Sequence, residues 1–130
     1  MVATIDTIGY VILFVKDVEA SCAFYRDALD VAVRNSCPEW AELETRGTTL
    51  ALHRCDQAPP FHHPAIPQVT FNVEDVRGAH ATLKDRKVKI HDLHPVWESP
   101  EVVGLSAEFH DPDGNRLAIH GVVSRKEWQA

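Results

Sequence analysis

The chain has 130 residues, the usual size of one domain, because single domains cluster at about 100 to 150 residues. Val, Leu, Ile and Phe make up 35 of the 130 residues, about 27%, so a sizeable core can form. The net charge is −6 and the basic residues are scattered, which argues against nucleic acid or an anionic membrane surface as partner. No apolar run is long enough to span a membrane, and the first ten residues lack a signal-peptide pattern, so we expect a cytoplasmic protein.

Several common kinds of site have no support in the sequence. The three cysteines, Cys22, Cys37 and Cys55, contain no C-x-x-C pair, so they predict neither a disulfide framework nor a thiolate zinc site. A glycine-rich phosphate loop, a serine nucleophile elbow and a nicotinamide-binding fingerprint are also missing from the sequence. We therefore expect no nucleotide cofactor.

The sequence contains an internal repeat, and its first copy predicts a strand, a helix and three further strands. Ile8–Val15 is rich in β-branched and aromatic residues and predicts a strand, and Asp17 follows it as a candidate helix N-cap. Apolar residues then recur at steps of four, three and four, which predicts a helix over residues 18–29. Three short strands are predicted after it, over residues 31–37, 40–45 and 48–54.

The second copy predicts the same order of elements. Its first strand covers residues 68–73, Asp75 is the N-cap, and the helix runs to about Arg86. Its three closing strands are predicted over residues 89–95, 104–110 and 115–122. Four prolines between the copies predict a stiff linker at residues 55–67. We expect a single domain over residues 1–130, with module one at about 8–54 and module two at about 68–122.

The alignment of the two copies defines the repeat. Ile8–Arg26 aligns with Ile66–Lys84 at a constant offset of 58, and Gly47–His53 aligns with Gly114–His120 at an offset of 67. The second copy is therefore nine residues longer between these motifs. Such a repeat predicts two copies of one βαβββ unit.

The motifs of the two copies resemble those of one family. Val15–Ser21 reads Val-Lys-Asp-Val-Glu-Ala-Ser, Phe24-Tyr25 follows in the helix, and Phe109–Leu117 reads Phe-His-Asp-Pro-Asp-Gly-Asn-Arg-Leu. With the duplication, they resemble the vicinal oxygen chelate superfamily, which contains glyoxalases, bleomycin-resistance proteins and extradiol dioxygenases. The resemblance implies an α+β fold in which two tandem βαβββ modules form an eight-stranded, cupped mixed sheet with the helices on the outer face. It also implies a small-molecule pocket in the cup and a homodimer.

The resemblance also implies where a metal would bind in the metal-dependent members. Carried over one by one, the ligand positions fall on Tyr10 and Gln68 in the first strands and on Ala51 and Ala118 in the last strands. Alanine has no donor atom, and a neutral tyrosine is a rare ligand. We therefore expect no metal and no other cofactor, and a protein that binds its ligand rather than transforms it.

An alternative prediction is a displaced metal site. His53 and His120 lie two residues beyond the two alanines and on the same face of their strands. Two imidazoles can begin a metal site, which a further donor would complete, such as Gln68, Glu42, Glu44 or Glu108. The protein would then be a lyase, an isomerase or a dioxygenase. A third hypothesis is a structural or regulatory partner protein whose cup is filled by its own side chains.

The preferred hypothesis is metal-independent binding of a small organic molecule, as in sequestration of a drug or a metabolite. The net charge of −6 mildly favours a cationic or aromatic ligand. No catalytic residue is predicted, and whether the segment 96–103 around Trp97 acts as a lid stays open. The candidate ligand-binding residues are Tyr10, Phe14, His53, Gln68, Trp97 and His120.

Overall fold

The computed structural model describes residues 8–56 and 67–128. The chain divides into two compact units at the bond between Pro59 and Pro60. Most of the predicted proline-rich linker, residues 57–66, lies outside the described residues. In the part of the chain that is described, no helix is long and apolar enough to cross a membrane.

The first unit contains one βαβββ module, as the sequence predicts. The elements are β1 (Tyr10–Val15), α1 (Val18–Asp27), β2 (Val33–Cys37), β3 (Trp40–Leu43) and β4 (Thr49–Arg54). The sheet has the strand order β1-β4-β3-β2, with β1 parallel to β4 and the other neighbours antiparallel. The sheet is therefore mixed.

The second unit repeats this topology. Its elements are β5 (Val69–Asn72), α2 (Val76–Asp85), β6 (His94–Glu98), β7 (Val102–His110) and β8 (Arg116–Ser124). The sheet has the strand order β5-β8-β7-β6, with β5 parallel to β8 and the other neighbours antiparallel. The α+β fold class and the tandem βαβββ modules, with eight strands in two four-stranded mixed sheets, are thus confirmed.

Both helices begin where the sequence predicts, because an aspartate caps each of them. The Asp17 carboxylate accepts a hydrogen bond from the backbone N–H of Ala20 at 3.1 Å, and Asp75 accepts one from Gly78 at 2.9 Å. In each unit the helix covers one face of the sheet with apolar side chains, and the core lies between them. Tyr25 of α1 is fully buried there.

The approach of α2 to its sheet depends on a glycine in β8. A Cβ atom added to Gly121 would lie 2.6 Å from the Cβ of Val76 and 2.9 Å from the carbonyl oxygen of Val73. Val76 is the first residue of α2 and is 1% exposed. Glycine at this position therefore allows the start of the helix to pack directly against the strand.

The largest difference from the prediction concerns β6, which spans His94–Glu98 rather than residues 89–95. Proline cannot donate a ladder hydrogen bond, and the predicted strand ended at Pro95, whereas the observed strand continues past it. β6 is an edge strand, however, and its register shifts between Pro95 and Trp97, so the missing N–H is tolerated. Trp97 therefore lies within a paired strand, and the segment 96–103 forms the β6–β7 hairpin.

The nine additional residues of the second copy are spread over three places. The connection from helix to strand is three residues longer before β6 than before β2, and the next connection is one residue longer. The remaining five residues extend β7, which has nine residues against four in β3. The additional residues thus mainly lengthen β7.

Candidate functional site

Each sheet has one face that its helix does not cover. In the first unit the register of β1, β3 and β4 places eight side chains on this open face: Tyr10, Ile12, Phe14, Trp40, Glu42, Thr49, Ala51 and His53. Three apolar side chains of β1, Tyr10, Ile12 and Phe14, are 53%, 42% and 45% exposed there. The next side chain on the opposite face, Val15, is 1% exposed. A row of exposed apolar side chains is typical of a ligand-binding surface.

Aromatic rings line this open face. The ring centroids of Tyr10 and Trp40 are 6.0 Å apart, those of Trp40 and His53 are 5.9 Å apart, and those of His53 and Phe14 are 5.7 Å apart. The His53 Nδ1–H donates to the carbonyl oxygen of Arg54 at 2.7 Å, since a carbonyl can only accept. The three predicted residues Tyr10, Phe14 and His53 thus lie together on one continuous aromatic surface.

Glu42 is the polar centre of the same face. One carboxylate oxygen accepts hydrogen bonds from the Trp40 indole N–H at 3.2 Å and from the Tyr10 hydroxyl at 3.4 Å. The other oxygen accepts from the Arg34 guanidinium at 2.9 Å. The indole and guanidinium hydrogen bonds lower the pKa of Glu42 below its usual range. The carboxylate is therefore ionised near neutral pH and has donors for both oxygens.

The open face of the second sheet is more polar. The register places there Thr70, Asn72, Ser106, Glu108, Arg116, Ala118 and His120, and Gln68 lies just before β5. The Gln68 amide donates to the Thr70 hydroxyl at 3.3 Å. In this unit the predicted residues Gln68 and His120 lie on the same face, and Trp97 is hydrogen-bonded to His120.

Trp97 and His120 form a hydrogen-bonded pair on this face. The Trp97 indole N–H donates to His120 Nε2 at 3.0 Å, and His120 Nδ1 contacts Asn72 Oδ1 at 3.2 Å. Because the indole can only donate, His120 carries its proton on Nδ1. The Trp97 ring occupies the space above Gly104, where a Cβ atom would overlap it. Both nitrogens of His120 are thus already engaged by neighbouring side chains.

A cavity of about 540 Å³ lies at one end of the second sheet. Glu108 lines this cavity, and its Oε1 lies 3.2 Å from His94 Nε2. The other oxygen, Oε2, is buried and has no hydrogen-bond partner among the described residues. The side chain of Glu108 as a whole is 31% exposed. Residues of the cavity wall include Gln68, His91, His94, Glu108, His110 and Arg116.

The four positions that the resemblance assigns to metal ligands do not suit a divalent metal ion. Ala51 and Ala118 are fully buried and have no donor atom, and the Tyr10 hydroxyl donates to Glu42. Gln68 alone remains. Over residues 8–56 and 67–128, no group of three His, Cys, Asp or Glu residues is arranged to hold a metal ion.

The sequence analysis missed two residues of these networks, Arg34 and His94. Each lies on the second strand of its unit and pairs with a glutamate of the third strand, Glu42 or Glu108. The glutamates themselves were considered as further donors to a displaced metal site. Their equivalence is visible only in the strand register, where Glu42 pairs with Ala51 and Glu108 with Ala118, because the two glutamates fall at neither offset of the repeat. Both copies thus place a glutamate directly beside the alanine.

The family of this chain follows from comparison with known proteins. The family model for the glyoxalase/bleomycin resistance protein/dioxygenase superfamily matches residues 7–119, and the chain belongs to this superfamily. The resemblance deduced from the motifs is thereby confirmed. No curated protein matches the sequence.

Solved structures with the same fold include proteins with different descriptions. A glyoxalase/bleomycin resistance protein/dioxygenase from Alicyclobacillus acidocaldarius has a TM-score of 0.73 at 16% identity and covers 95% of this chain and 96% of its own. A lactoylglutathione lyase from Agrobacterium tumefaciens has a TM-score of 0.70 at 20% identity, with 97% and 98% covered. An antibiotic-binding protein from a Streptomyces species has a TM-score of 0.68 at 22% identity, with 93% and 99% covered. At these identities the similarity shows the fold alone.

Proposed function

We propose that this chain binds a small organic molecule on the open faces of its sheets, without a metal ion, and sequesters it. The observation that carries the proposal is the row of exposed apolar side chains on β1, Tyr10, Ile12 and Phe14. Water contact with such a row is unfavourable, and a flat apolar ligand would relieve it. The proposed binding residues are Tyr10, Phe14, His53, Gln68, Trp97 and His120.

The chemistry of the first open face supports binding without a metal. Glu42 lies beside Ala51, where the resemblance implies a metal ligand, but its two oxygens already accept from Arg34, Trp40 and Tyr10. Breaking these charge-assisted hydrogen bonds to coordinate an ion would cost free energy. A ligand held by ring contacts and hydrogen bonds needs no such change.

Isothermal titration calorimetry with naphthalene-2-carboxamide, a neutral aromatic probe, tests the proposal. If a bound ring covers about 50 Å² of the Phe14 side chain, Phe14→Ala would lose about 1.3 kcal/mol and weaken binding about tenfold. For a probe bound on the second sheet, Trp97→Ala is expected to weaken binding similarly. Phe24→Ala is the matched control, because it removes a half-buried ring from α1, and binding should change less than about twofold.

Two results of this titration would overturn the proposal. One is no saturable binding to the wild-type protein. The other is an equal loss of affinity in Phe14→Ala and in the Phe24→Ala control. Dialysis against EDTA addresses the metal separately: the affinity should be unchanged, and a probe affinity that appears only with added metal ions would overturn the metal-independent part.

The assembly and location of the protein belong to the same proposal. The family model extends across both units, which supports one functional domain over residues 1–130. From the resemblance we propose a homodimer in the cytoplasm. Light scattering coupled to size-exclusion chromatography would test the dimer, which a mass of about 14.5 kDa would contradict.

A further inference from the structure

We propose that the ligand carries a cationic N–H donor, an amidinium, guanidinium or ammonium group, which binds to Glu108 in the cavity of the second unit. This inference rests on the proposed function and assigns the class of its ligand. It depends on a comparison between the two copies of the repeat, which place the same acidic residue at the same position but surround it differently.

Glu42 and Glu108 are equivalent residues. Glu42 on β3 pairs with Ala51 on β4, and Glu108 on β7 pairs with Ala118 on β8. Two residues before each glutamate, the same strand pairs with the histidine that ends the Leu-Ala-(Leu/Ile)-His motif. Each carboxylate therefore projects from the open face beside an alanine that leaves room for it.

The donors of Glu42 are replaced one by one in the second copy. The position of Trp40 is occupied by Ser106, which pairs with His120 as Trp40 pairs with His53. The position of Tyr10 is occupied by Gln68, whose amide donates to Thr70 instead. Glu108 has thus lost both the indole and the phenol donor of its counterpart.

The guanidinium of Arg34 is replaced by the imidazole of His94. His94 Nε2 is 3.2 Å from Glu108 Oε1, and its Nδ1 is 3.3 Å from the carbonyl oxygen of Asp92. Since a carbonyl only accepts, His94 can donate to Asp92 and to Glu108 at the same time only when both ring nitrogens carry protons. Among the described residues, an imidazole thus stands beside Glu108 where a permanent cation stands beside Glu42.

The result is a carboxylate with an unmet hydrogen-bonding requirement. Glu108 Oε2 is buried and no described residue donates to it, a situation that costs free energy in the unliganded protein. The side chain lines a cavity of about 540 Å³ and is 31% exposed. The terminal torsion of a glutamate is soft, so a modest rotation would present this oxygen to the cavity.

The first unit shows which group satisfies a glutamate at this position. There the Arg34 guanidinium donates at 2.9 Å and supplies the compensating charge. A ligand amidinium or guanidinium in the cavity would provide to Glu108 what Arg34 provides to Glu42. Trp97, on β6 of the same unit and 44% exposed, offers a ring surface for the ligand's apolar part.

The test compares naphthalene-2-carboxamidine with its neutral isostere, naphthalene-2-carboxamide, by calorimetry on the full chain. We expect the amidine to bind wild-type protein at least about tenfold more tightly than the amide, as for a charge-assisted hydrogen bond. Glu108→Gln should abolish this preference while leaving the amide affinity nearly unchanged. Glu74→Gln removes the same charge from an exposed residue outside the sheet, and this control should keep the preference.

The outcomes separate this inference from the proposed function. If neither probe binds wild-type protein, the proposed function fails and this inference with it. If both bind with similar affinity, the proposed function stands and the cationic class is wrong. An amidine preference that survives Glu108→Gln, or that Glu74→Gln removes equally, also overturns the assignment to Glu108. The comparison on wild-type protein needs no variant, so it remains decisive even if Glu108→Gln does not fold.

Discussion

Replacing Gly104 by alanine tests whether the second open face is shaped to hold the indole of Trp97. The added Cβ would overlap atoms of the indole ring, including Nε1, which donates to His120. The backbone itself accepts alanine, because the φ angle of Gly104 lies outside the left-handed region. The substitution therefore acts through the ring and not through backbone strain.

The size of the effect follows from three contributions. Moving the ring out of a packed position costs about 1 to 3 kcal/mol, and losing its hydrogen bond costs about 0.5 to 1.5 kcal/mol. Replacing glycine by alanine in a compatible strand returns about 0.4 to 1 kcal/mol through the unfolded state. Gly104→Ala should therefore lower the free energy of unfolding by about 0.5 to 4 kcal/mol.

Urea denaturation of a double-mutant cycle measures this effect. In the Trp97→Ala background the ring is absent, so Gly104→Ala should be neutral or stabilising by up to about 1 kcal/mol. A ¹⁵N–¹H spectrum gives a second readout, since the indole N–H signal of Trp97 should move when the bond to His120 breaks. An equal cost of Gly104→Ala with and without Trp97 would refute the reasoning.

Three further predictions concern packing, pH and metal. Gly121→Ala should destabilise the protein by about 1 to 3 kcal/mol in urea denaturation, and Val76→Ala should rescue only part of the loss, because a backbone carbonyl also blocks the added Cβ. The pKa of Glu42 is lowered in the folded state, so its stabilising contribution is present above the carboxyl's unfolded-state pKa and is lost as pH falls through the lower folded value. The stability difference between wild type and Glu42→Gln should accordingly be larger at pH 7 than at pH 3, and an equal difference would contradict this sign. After incubation with iron, manganese, nickel and zinc, elemental analysis should find little bound metal; about one ion per chain that is lost in both His53→Ala and His120→Ala would instead establish the displaced site.

Local signals explain why most of the fold could be predicted from the sequence. Stretches rich in β-branched and aromatic residues define the strands, and Asp17 and Asp75 define the helix starts, since both signals depend only on neighbours in the chain. The predicted position of β6 was wrong, and its continuation past Pro95 could not be predicted, because the tolerance of a strand for proline depends on whether that strand lies at the edge of the sheet. Edge position is a property of the whole sheet and is not encoded locally.

The polar network around Glu42 could not be predicted for a similar reason. Strict alternation would place Arg34 and Asn35 on opposite faces of β2, with Asn35 on the face of its partner Glu42. The register shifts between Val33 and Asn35, and the guanidinium reaches Glu42 on the open face. Such a shift re-aims a side chain without leaving a clear mark in the sequence. The strand that carries a candidate residue can often be predicted from the sequence. The hydrogen-bond partners of that residue, in contrast, can be identified only in the structure.

The divergence of the two copies explains how one duplicated unit can serve ligand binding in two ways. Both copies retain the alanine and the facing glutamate, so these positions are set by the shared architecture of the sheet. The first copy surrounds its glutamate with its own donors and exposes rings, so we expect it to contribute apolar contact. In the second copy no described residue donates to one oxygen of Glu108, and we expect this copy to select ligands by hydrogen bonding. Installing donors for Glu108 from within the protein, for example by His94→Arg, should then reproduce the state of the first copy and compete with a cationic ligand.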